Sequence, residues 1–367
     1  MKNICFLNST TFWGGGEKIH YDYALRFKAR GYRVVVAAAK GCPLFQRAEK
    51  AGLELFSVRF GNLSFLNPFS YLSLIAFLKR EQIDTIIISS SHDLKIGALA
   101  AQFAGVKNIV YYRALAAPVK NSALNRYLYT RALTHVIANS LETRRTMIQN
   151  MNGFISESSI GIVYQGLAIA AIDEFPIHKL WDKKEGVVYL GNAGRLTAQK
   201  GQGYLIEIAK LLKAKKKPFK IMIAGNGELY EPLQKDIEKH GLTNEVELLG
   251  FVEDVNSFMH NIDVFVLTSE WEGFGYVLAE AMIAKKPVVG FDITSNPELI
   301  DAEENGYLIP FPNVELFADK IADLVEQPEL RKQFGEHGRQ KIKDNFELDK
   351  VISDMENYIL NNKKSDR

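Results

Sequence analysis

The amino-acid sequence predicts two α/β domains, each built on a doubly wound parallel sheet. The chain has 367 residues, which is longer than a domain with a single hydrophobic core usually is. Short runs rich in Val and Ile are separated by segments of helical periodicity. The apolar runs are nearly continuous, as expected for parallel strands covered on both faces. This pattern restarts in the second half of the chain, so two similar domains are expected.

In the first half, the predicted strands include ICFL, RVVVAAA, TIIIS and NIVYY. Residues 17–31, between the first two, have apolar residues at helical spacing and end in glycine, as many helices do. A less regular stretch with a charged end begins at residue 161. We therefore place the first domain at residues 1–170 and the second at residues 171–345.

In the second half, the predicted strands are GVVYLGNAG, FKIMIAG, VELLG, DVFVLTS, PVVGF and GYLIP, each followed by a helix-like segment. Residues 346–367 contain an amphipathic helix that we expect to pack back on the first domain. Ligands of doubly wound sheets bind beyond the carboxyl ends of the strands. A cleft between two facing domains would bring two sets of strand ends together.

Composition excludes several classes of protein. Hydrophobic content of 47% and charged content of 24% are ordinary for a soluble globular chain, and a net charge of +2 gives no reason to expect nucleic acid. Cys5 and Cys42 lie in or beside apolar segments, which predicts buried thiols in a reducing compartment. The N-terminal apolar run is interpreted as a strand rather than a signal peptide, and residues 65–78 are too interrupted to span a bilayer. A cytoplasmic protein is expected.

A glycine-rich loop follows the first predicted strand. Gly14, Gly15 and Gly16 precede a helix, an arrangement that presents backbone N–H groups and a positive helix end to a phosphate. Nicotinamide binding is disfavoured because the third glycine of that motif would fall at Ile19, and because the second strand ends without the acid that holds a ribose. A flexible turn is the alternative interpretation.

Two cations follow the first strand of the second domain, in GNAGRLTAQKG. Arg195 offers a planar fork and Lys200 a point charge, which together suit a pyrophosphate. Solvated surface cations are the alternative. The position at the edge where such sheets bind ligands favours the pyrophosphate site.

The stretch EWEGFGYVLAE places Glu272 in a loop and Glu280 two turns into a helix. This is not the facing arrangement of two carboxylates that sugar hydrolysis requires. His92 follows the strand TIIIS at a similar sheet edge, where either a ligand contact or a satisfied structural role is possible. Asp93 is interpreted as a helix N-cap.

These motifs resemble the retaining glycosyltransferases of family 4, which have the GT-B fold. The resemblance rests on EGFGYVLAE and, along the chain, on the glycine-rich loop, ANSLET, GRLTAQKG, IAGNGE, LLGFVEDV and PVVGFDITSNPELI. It implies a donor diphosphate at Arg195 and Lys200, a donor sugar at Glu272, and ribose hydroxyls at Glu280. It also implies a reactive-sugar contact at His92 and further donor contacts at Gly15, Gly16, Phe251, Val252, Gly273, Phe274 and Gly275.

The implied activity is metal-independent transfer of a sugar from a nucleoside diphosphate to a hydroxyl, with retention of configuration. The implied acceptor is a glycan or glycolipid of cell-envelope polysaccharide or lipopolysaccharide synthesis. No Asp-x-Asp and no His or Cys cluster with ligand spacing occurs in the sequence, so no metal or other cofactor is expected. A nucleotide-sugar epimerase and a non-catalytic sugar-nucleotide-binding protein remain alternatives, and a membrane-surface adaptor is a further one.

Residues 94–141 contain no Asp or Glu but several cations and tyrosines. This first-domain surface is interpreted as a site for an anionic acceptor or for the inner face of an anionic membrane. Ordinary solvated cations and packed aromatic rings are the alternative. Arg113, just past the strand NIVYY, is the predicted acceptor contact. The other residues of this window are Lys95, Lys107, Lys120, Arg126, Arg131, Tyr111, Tyr112, Tyr127 and Tyr129.

Overall fold

A computed structural model describes residues 2–61, 64, 67–151 and 153–361. The chain divides into two compact units. The first comprises the chain up to Gly166 together with the segment from Leu348 onward, and the second comprises Leu167–Glu347. Each unit contains one parallel sheet with helices packed around it, which confirms the predicted fold class.

The first unit has a seven-stranded sheet in the order β3-β2-β1-β4-β5-β6-β7. Its strands are β1 (Asn3–Asn8), β2 (Arg33–Ala38), β3 (Glu54–Ser57), β4 (Thr85–Ile88), β5 (Asn108–Arg113), β6 (His135–Ala138) and β7 (Ile160–Ile162). Its helices are α1 (Gly15–Ala29), α2 (Pro43–Lys50), α3 (Pro68–Arg80), α4 (Ser91–Ala104), α5 (Ala123–Tyr127) and α6 (Leu141–Ile148). A π-helical turn, Leu128–Ala132, follows α5.

The second unit has a six-stranded sheet in the order β10-β9-β8-β11-β12-β13. After α7 (Ile169–Asp173), its strands are β8 (Val188–Ala193), β9 (Phe219–Ala224), β10 (Val246–Gly250), β11 (Val264–Leu267), β12 (Val288–Phe291) and β13 (Gly306–Ile309). Its remaining helices are α8 (Gly203–Ala214), α9 (Tyr230–Lys239), α10 (Val255–Asn261), α11 (Tyr276–Ile283), α12 (Asn296–Leu299), α13 (Val314–Glu326) and α14 (Pro328–Phe346).

The last described helix, α15 (Leu348–Asn361), belongs to the first unit. Nη1 of Arg30, the C-cap of α1, lies 3.1 Å from Glu356 Oε2, and Gly161 N donates to Tyr358 Oη at 3.0 Å. Val351, Ile352 and Met355 of the apolar face are buried. The amphipathic pattern thus becomes a helix held by packing and polar contacts. Residues 362–367 of the predicted segment lie outside the described residues.

Both cysteines are buried free thiols, as predicted, and burial raises the pKa of the Cys5 thiol to about 12. None of the helices in the described ranges is long and apolar enough to cross a lipid bilayer. In each sheet the strand order reverses once, between β1 and β4 and between β8 and β11. Ligands of doubly wound sheets bind at this reversal, beyond the carboxyl ends of the strands.

Candidate functional site

The strand-order reversal of the second unit brings two loops together. Residues 194–202 follow β8, and residues 268–275 follow β11, its neighbour in the sheet. The first loop contains Arg195 and Lys200, and the second contains Glu272. Because parallel strands end at one edge of the sheet, residues far apart in sequence meet there.

Lys200 and Glu272 form a partly buried ion pair at this edge. Lys200 Nζ lies 2.6 Å from Glu272 Oε1, and the two side chains are 16% and 8% exposed. Ser269 Oγ donates to the same carboxylate oxygen at 2.6 Å. Glu272 Oε2 has no hydrogen-bond partner among the described residues, so that oxygen can accept a hydrogen bond from a ligand hydroxyl.

Backbone contacts fix the relative position of the two loops. Glu270 N donates to Gln199 O at 2.9 Å, and Gln199 Nε2 donates to Trp271 O at 3.0 Å. Gly201 has a φ of +59°, and a Cβ there would lie 2.2 Å from Thr268 O. Only glycine allows this approach, which places Lys200 against the second loop.

The Gly-Phe-Gly segment leads into α11. Gly275 precedes the helix with a φ of +77°, a left-handed conformation that favours glycine. The Phe274 ring is buried and lies 5.5 Å from the ring of Phe346, while Glu272 N donates to Thr294 Oγ1 at 2.9 Å. The Phe274 side chain therefore anchors the loop, and a ligand contact at residues 273–275 is left to the backbone.

A cavity of about 270 Å³ lies beside these loops. Four of its lining residues were predicted as donor contacts: Arg195, Phe251, Val252 and Glu280. The Phe251 side chain is 75% exposed, and the Arg195 guanidinium makes no ion pair with any described residue. Sequence reasoning assigned no role to the other lining residues, which include Asn226, Val255, Phe258 and Val277. The motifs IAGNGE, LLGFVEDV and EGFGYVLAE contain Asn226, Val255 and Val277, whereas no motif contains Phe258.

Close backbone packing connects the cavity to Lys200. Gly194 and Gly225 both line the cavity, and a Cβ on Gly225 would lie 1.8 Å from Gly194 O. A Cβ on Gly194 would lie 3.6 Å from Lys200 Cε. The lysine side chain thus passes beside the cavity before its ammonium reaches Glu272. Among the described residues, no group of three or more His, Cys, Asp or Glu side chains is arranged to hold a metal ion.

The glycine-rich loop of the first unit enters α1 directly. Gly14 is the N-cap of α1, and Gly15 and Gly16 are its first two residues. The helix therefore begins slightly earlier than the sequence predicts. The N–H groups of Gly15 and Gly16 have no intrahelical acceptor. Glu17, in the same turn, is buried and its Oε1 accepts a hydrogen bond from Asn8 Nδ2 at 3.4 Å. Sequence reasoning missed this carboxylate, whose charge opposes anion binding at the helix start.

His92 is exposed in the first turn of α4. The prediction that Asp93 caps this helix is wrong. Ser90 is the cap, and Ser90 Oγ accepts from Asp93 N at 3.1 Å. The Asp93 carboxylate instead binds Ser9, whose N and Oγ donate to it at 2.8 and 2.5 Å.

Arg113 ends β5 and is buried. It lines a second cavity, of about 580 Å³, together with His92. Three neighbours in the predicted basic surface, Tyr111, Tyr112 and Tyr129, are also buried, so the interpretation of these rings as surface groups is wrong. A parallel strand covered on both faces buries all of its side chains, which explains the two tyrosines in β5.

Comparisons with known proteins agree with this architecture. A family model described as "Glycosyltransferase Family 4" matches residues 13–170, and one described as "Glycosyl transferases group 1" matches residues 173–341. The crystal structure of Anabaena Alr3699/HepE in complex with UDP and glucose is 22% identical, with a TM-score of 0.78 over 98% of this chain and 100% of that one. The fold is therefore GT-B.

Two curated relatives match different shares of this chain. The poly(ribitol-phosphate) alpha-N-acetylglucosaminyltransferase of Staphylococcus aureus is 34% identical over 44% of this chain, and the match spans only 33% of that relative's length. An uncharacterized glycosyltransferase of Haemophilus influenzae is 24% identical over 94% of this chain and 96% of its own length. Each unit of this chain thus matches a glycosyltransferase family model, family 4 in the first unit and group 1 in the second.

Proposed function

We propose that this chain is a retaining glycosyltransferase that moves a sugar from a nucleoside-diphosphate sugar to an acceptor hydroxyl. The observation that carries the proposal is the Lys200–Glu272 ion pair beside the cavity lined by Arg195, Phe251 and Glu280. We assign the diphosphate to Lys200 and Arg195 and the donor sugar to Glu272. The ribose is assigned to Glu280 and the base to the segment at Phe251.

In the proposed reaction, the bond between the anomeric carbon and the β-phosphate oxygen breaks. The acceptor oxygen bonds to the same carbon from the same face, and its proton passes to the departing phosphate oxygen. Lys200 and Arg195 stabilise the negative charge that develops there, and one such preorganised group contributes about 3 kcal/mol. Glu272 Oε2 accepts from a sugar hydroxyl, and Glu280 accepts from the ribose. The donor roles of His92, Gly15 and Gly16 stay predictions.

We further propose that the reaction needs no divalent metal ion. The positive charge of Arg195 and Lys200 supports this, because fixed cations can neutralise a leaving diphosphate as a divalent ion does elsewhere. Turnover is expected to persist in an excess of EDTA. Loss of turnover with EDTA, followed by recovery with Mg²⁺ or Mn²⁺, would overturn this part of the proposal.

The donor and acceptor classes are proposed from the relatives. The Anabaena structure contains UDP and glucose, and the staphylococcal relative is named for a poly(ribitol-phosphate) acceptor. A UDP-hexose or UDP-N-acetylhexosamine donor and a cell-envelope glycan or lipid-linked acceptor are therefore the first substrates to test.

A thermal-shift screen with UDP-, GDP- and ADP-sugars tests the donor site, because a ligand that binds only the folded state raises its stability. Arg195→Ala is the informative variant, since this exposed side chain makes no ion pair with the described residues. Lys239→Ala, at an exposed position of α9, is the matched control. The shift should survive in the control and shrink in Arg195→Ala.

Product analysis then separates the classes of activity. Donor consumed only when an acceptor is present supports a transferase, and an unchanged anomeric configuration in the product supports retention. A changed sugar formed from donor alone would indicate an epimerase. Donor binding without any turnover across a broad acceptor panel would indicate a binding protein.

A further inference from the structure

The cavity of about 580 Å³ in the first unit is positively charged. It lies among the start of α4, the end of β5 and the segment that leads into α5. Arg113, Lys95, Lys120 and His92 all line it, and no Asp or Glu does. Asp93, in the same turn as His92, is not among the lining residues, because its carboxylate binds Ser9 and Ser90.

Arg113 is the buried cation of this cavity. Its Nε, Nη1 and Nη2 donate to Leu115 O at 3.0 Å, Tyr111 Oη at 3.2 Å and Ala117 O at 2.6 Å. All three acceptors are neutral, and no carboxylate of the described residues pairs with it. A buried cation without an anion carries a large desolvation penalty. The remaining guanidinium N–H groups are available to a ligand that would supply the missing negative charge.

The start of α4 adds to this positive field. Ser91 and His92, both lining residues, are the first two residues of this helix. Their N–H groups have no intrahelical acceptor, and the positive end of the helix dipole lies with them. Helix start, buried arginine and two lysines are thus independent sources of positive charge around one space.

We propose that this cavity binds a phosphate group of the acceptor, a proposal that rests on the transferase function argued above. Several cations around one space suit a phosphate, which carries more charge and more acceptor oxygens than a carboxylate. The space far exceeds one phosphate, and Leu94, Leu115 and Val119 line the rest of it. A phosphate attached to a sugar or polyol unit matches both the charge and the size.

Direct binding of small probes to the full chain tests this assignment. Glycerol 3-phosphate, glucuronate and glycerol are titrated separately, with UDP as the probe of the donor site. The wild type should bind glycerol 3-phosphate more tightly than glucuronate and should not respond to glycerol. The double variant Lys95→Glu/Lys120→Glu should weaken glycerol 3-phosphate binding by roughly tenfold or more and leave UDP binding unchanged.

The control Lys107→Glu reverses one charge at an exposed residue of the 94–141 window, outside the cavity. It should leave the affinities for glycerol 3-phosphate and for UDP unchanged. Arg195→Ala should weaken UDP binding alone, which separates this site from the donor site. Absent glycerol 3-phosphate binding alongside normal UDP binding would overturn the acceptor-phosphate site and spare the proposed function. Tighter binding of glucuronate than of glycerol 3-phosphate would also overturn the assignment. So would a loss of glycerol 3-phosphate affinity in Lys107→Glu that equals the loss in the double variant. Absent binding of UDP, GDP and ADP alike would instead count against the proposed function.

Discussion

Lys200 Nζ and Glu272 Oε1 lie 2.6 Å apart, so the main cation of the candidate site already has a carboxylate partner before any ligand binds. The ammonium group has three N–H donors, and the contact with Glu272 uses one of them. The others can bind phosphate oxygens while the pair persists. Pairing also fixes the lysine in place, which reduces the reorganisation required when charge develops on a leaving group.

This pairing predicts different effects of single and double substitutions. Lys200→Met alone leaves the buried Glu272 carboxylate without its cation and should destabilise the second unit by about 3 kcal/mol. Lys200→Met/Glu272→Gln removes both charges and should recover most of that loss. Neither variant should retain transfer activity. Urea denaturation measures the stability of each variant, and product formation measures its transfer activity.

The control for that comparison is Glu272→Gln alone, which leaves the lysine unpaired and should also lower stability. If the double variant is as unstable as the sum of the singles, the two side chains are not energetically coupled and the pair has no structural role. If either charge-removed variant turns over normally, the catalytic assignment is wrong.

Phe251 predicts a specific effect on nucleotide affinity. Its ring is 75% exposed and lines the cavity, so it is accessible to a ligand. Stacking of a base on an aromatic ring contributes about 1–3 kcal/mol, so Phe251→Ala should weaken UDP binding about fivefold or more with little change in stability. Calorimetric titration with UDP measures this.

Phe69→Ala is the matched control, because Phe69 is 79% exposed in α3 of the other unit. Both variants remove one exposed phenyl ring. Unchanged UDP affinity in Phe251→Ala would mean that only the backbone of residues 251–252 contacts the base.

Substitution of Gly225 tests how strongly the cavity depends on the close backbone contact between Gly225 and Gly194. It has a φ of +148°, and a Cβ there would lie 1.8 Å from Gly194 O. Gly241 has a φ of +62° but open space around its Cβ position. Gly241→Ala should therefore cost only about 1 kcal/mol of conformational strain. Gly225→Ala adds a backbone clash and should cost at least twice as much, with loss of UDP binding.

Denaturation midpoints of the two alanine variants check the comparison. Similar stability of both variants would show that the backbone at Gly194 can shift at little cost in free energy. Normal UDP binding by a folded Gly225→Ala variant would remove these two residues from the donor site.

Much of the fold follows from the sequence because central parallel strands are buried on both faces. All six strands of the second sheet are predicted, and each apolar run contains at most one charged or amide residue. Four strands of the first sheet are predicted likewise, whereas three are not: the buried four-residue strand β6 and the two edge strands. The edge strand β3 does not alternate clearly between apolar and polar residues, and its residues are half-exposed or exposed. The other edge strand, β7, has only three residues. Short edge strands bury too little surface to produce a clear pattern.

The candidate site is predicted only in part. Strand ends followed by glycine and charge indicate Arg195 and Lys200, and the structure places Arg195, Phe251, Val252 and Glu280 around one cavity. Their binding roles stay predictions. The Lys200–Glu272 contact joins residues 72 positions apart, so no local pattern encodes it. The acceptors of Arg113 lie only two to four residues away, but Leu115 O and Ala117 O reach it because the segment after β5 folds back.

A last prediction concerns Lys286, which lies between α11 and β12. Burial, together with the nearby charge of Lys183, lowers the pKa of Lys286 from 10.5 to about 8, and Asp263 opposes the shift. Its ammonium donates to His260 O at 3.3 Å. At neutral pH the lysine is charged in both the folded and unfolded states, so the folded protein bears the full desolvation cost.

The sign of the pH dependence follows from this lowered pKa. Between pH 8 and pH 10.5 the unfolded chain holds a proton that the folded chain has released, so this residue makes stability rise with pH. Lys286→Met removes the cost and, allowing for partial exposure, should stabilise the protein by about 2 kcal/mol near neutral pH. The gain should shrink toward zero as the pH approaches 10.5. Urea denaturation of variant and wild type across this range measures the difference, and Lys285→Met, at the exposed neighbour, should show no such trend. A gain that stays constant with pH would mean that better packing, rather than titration of Lys286, is responsible.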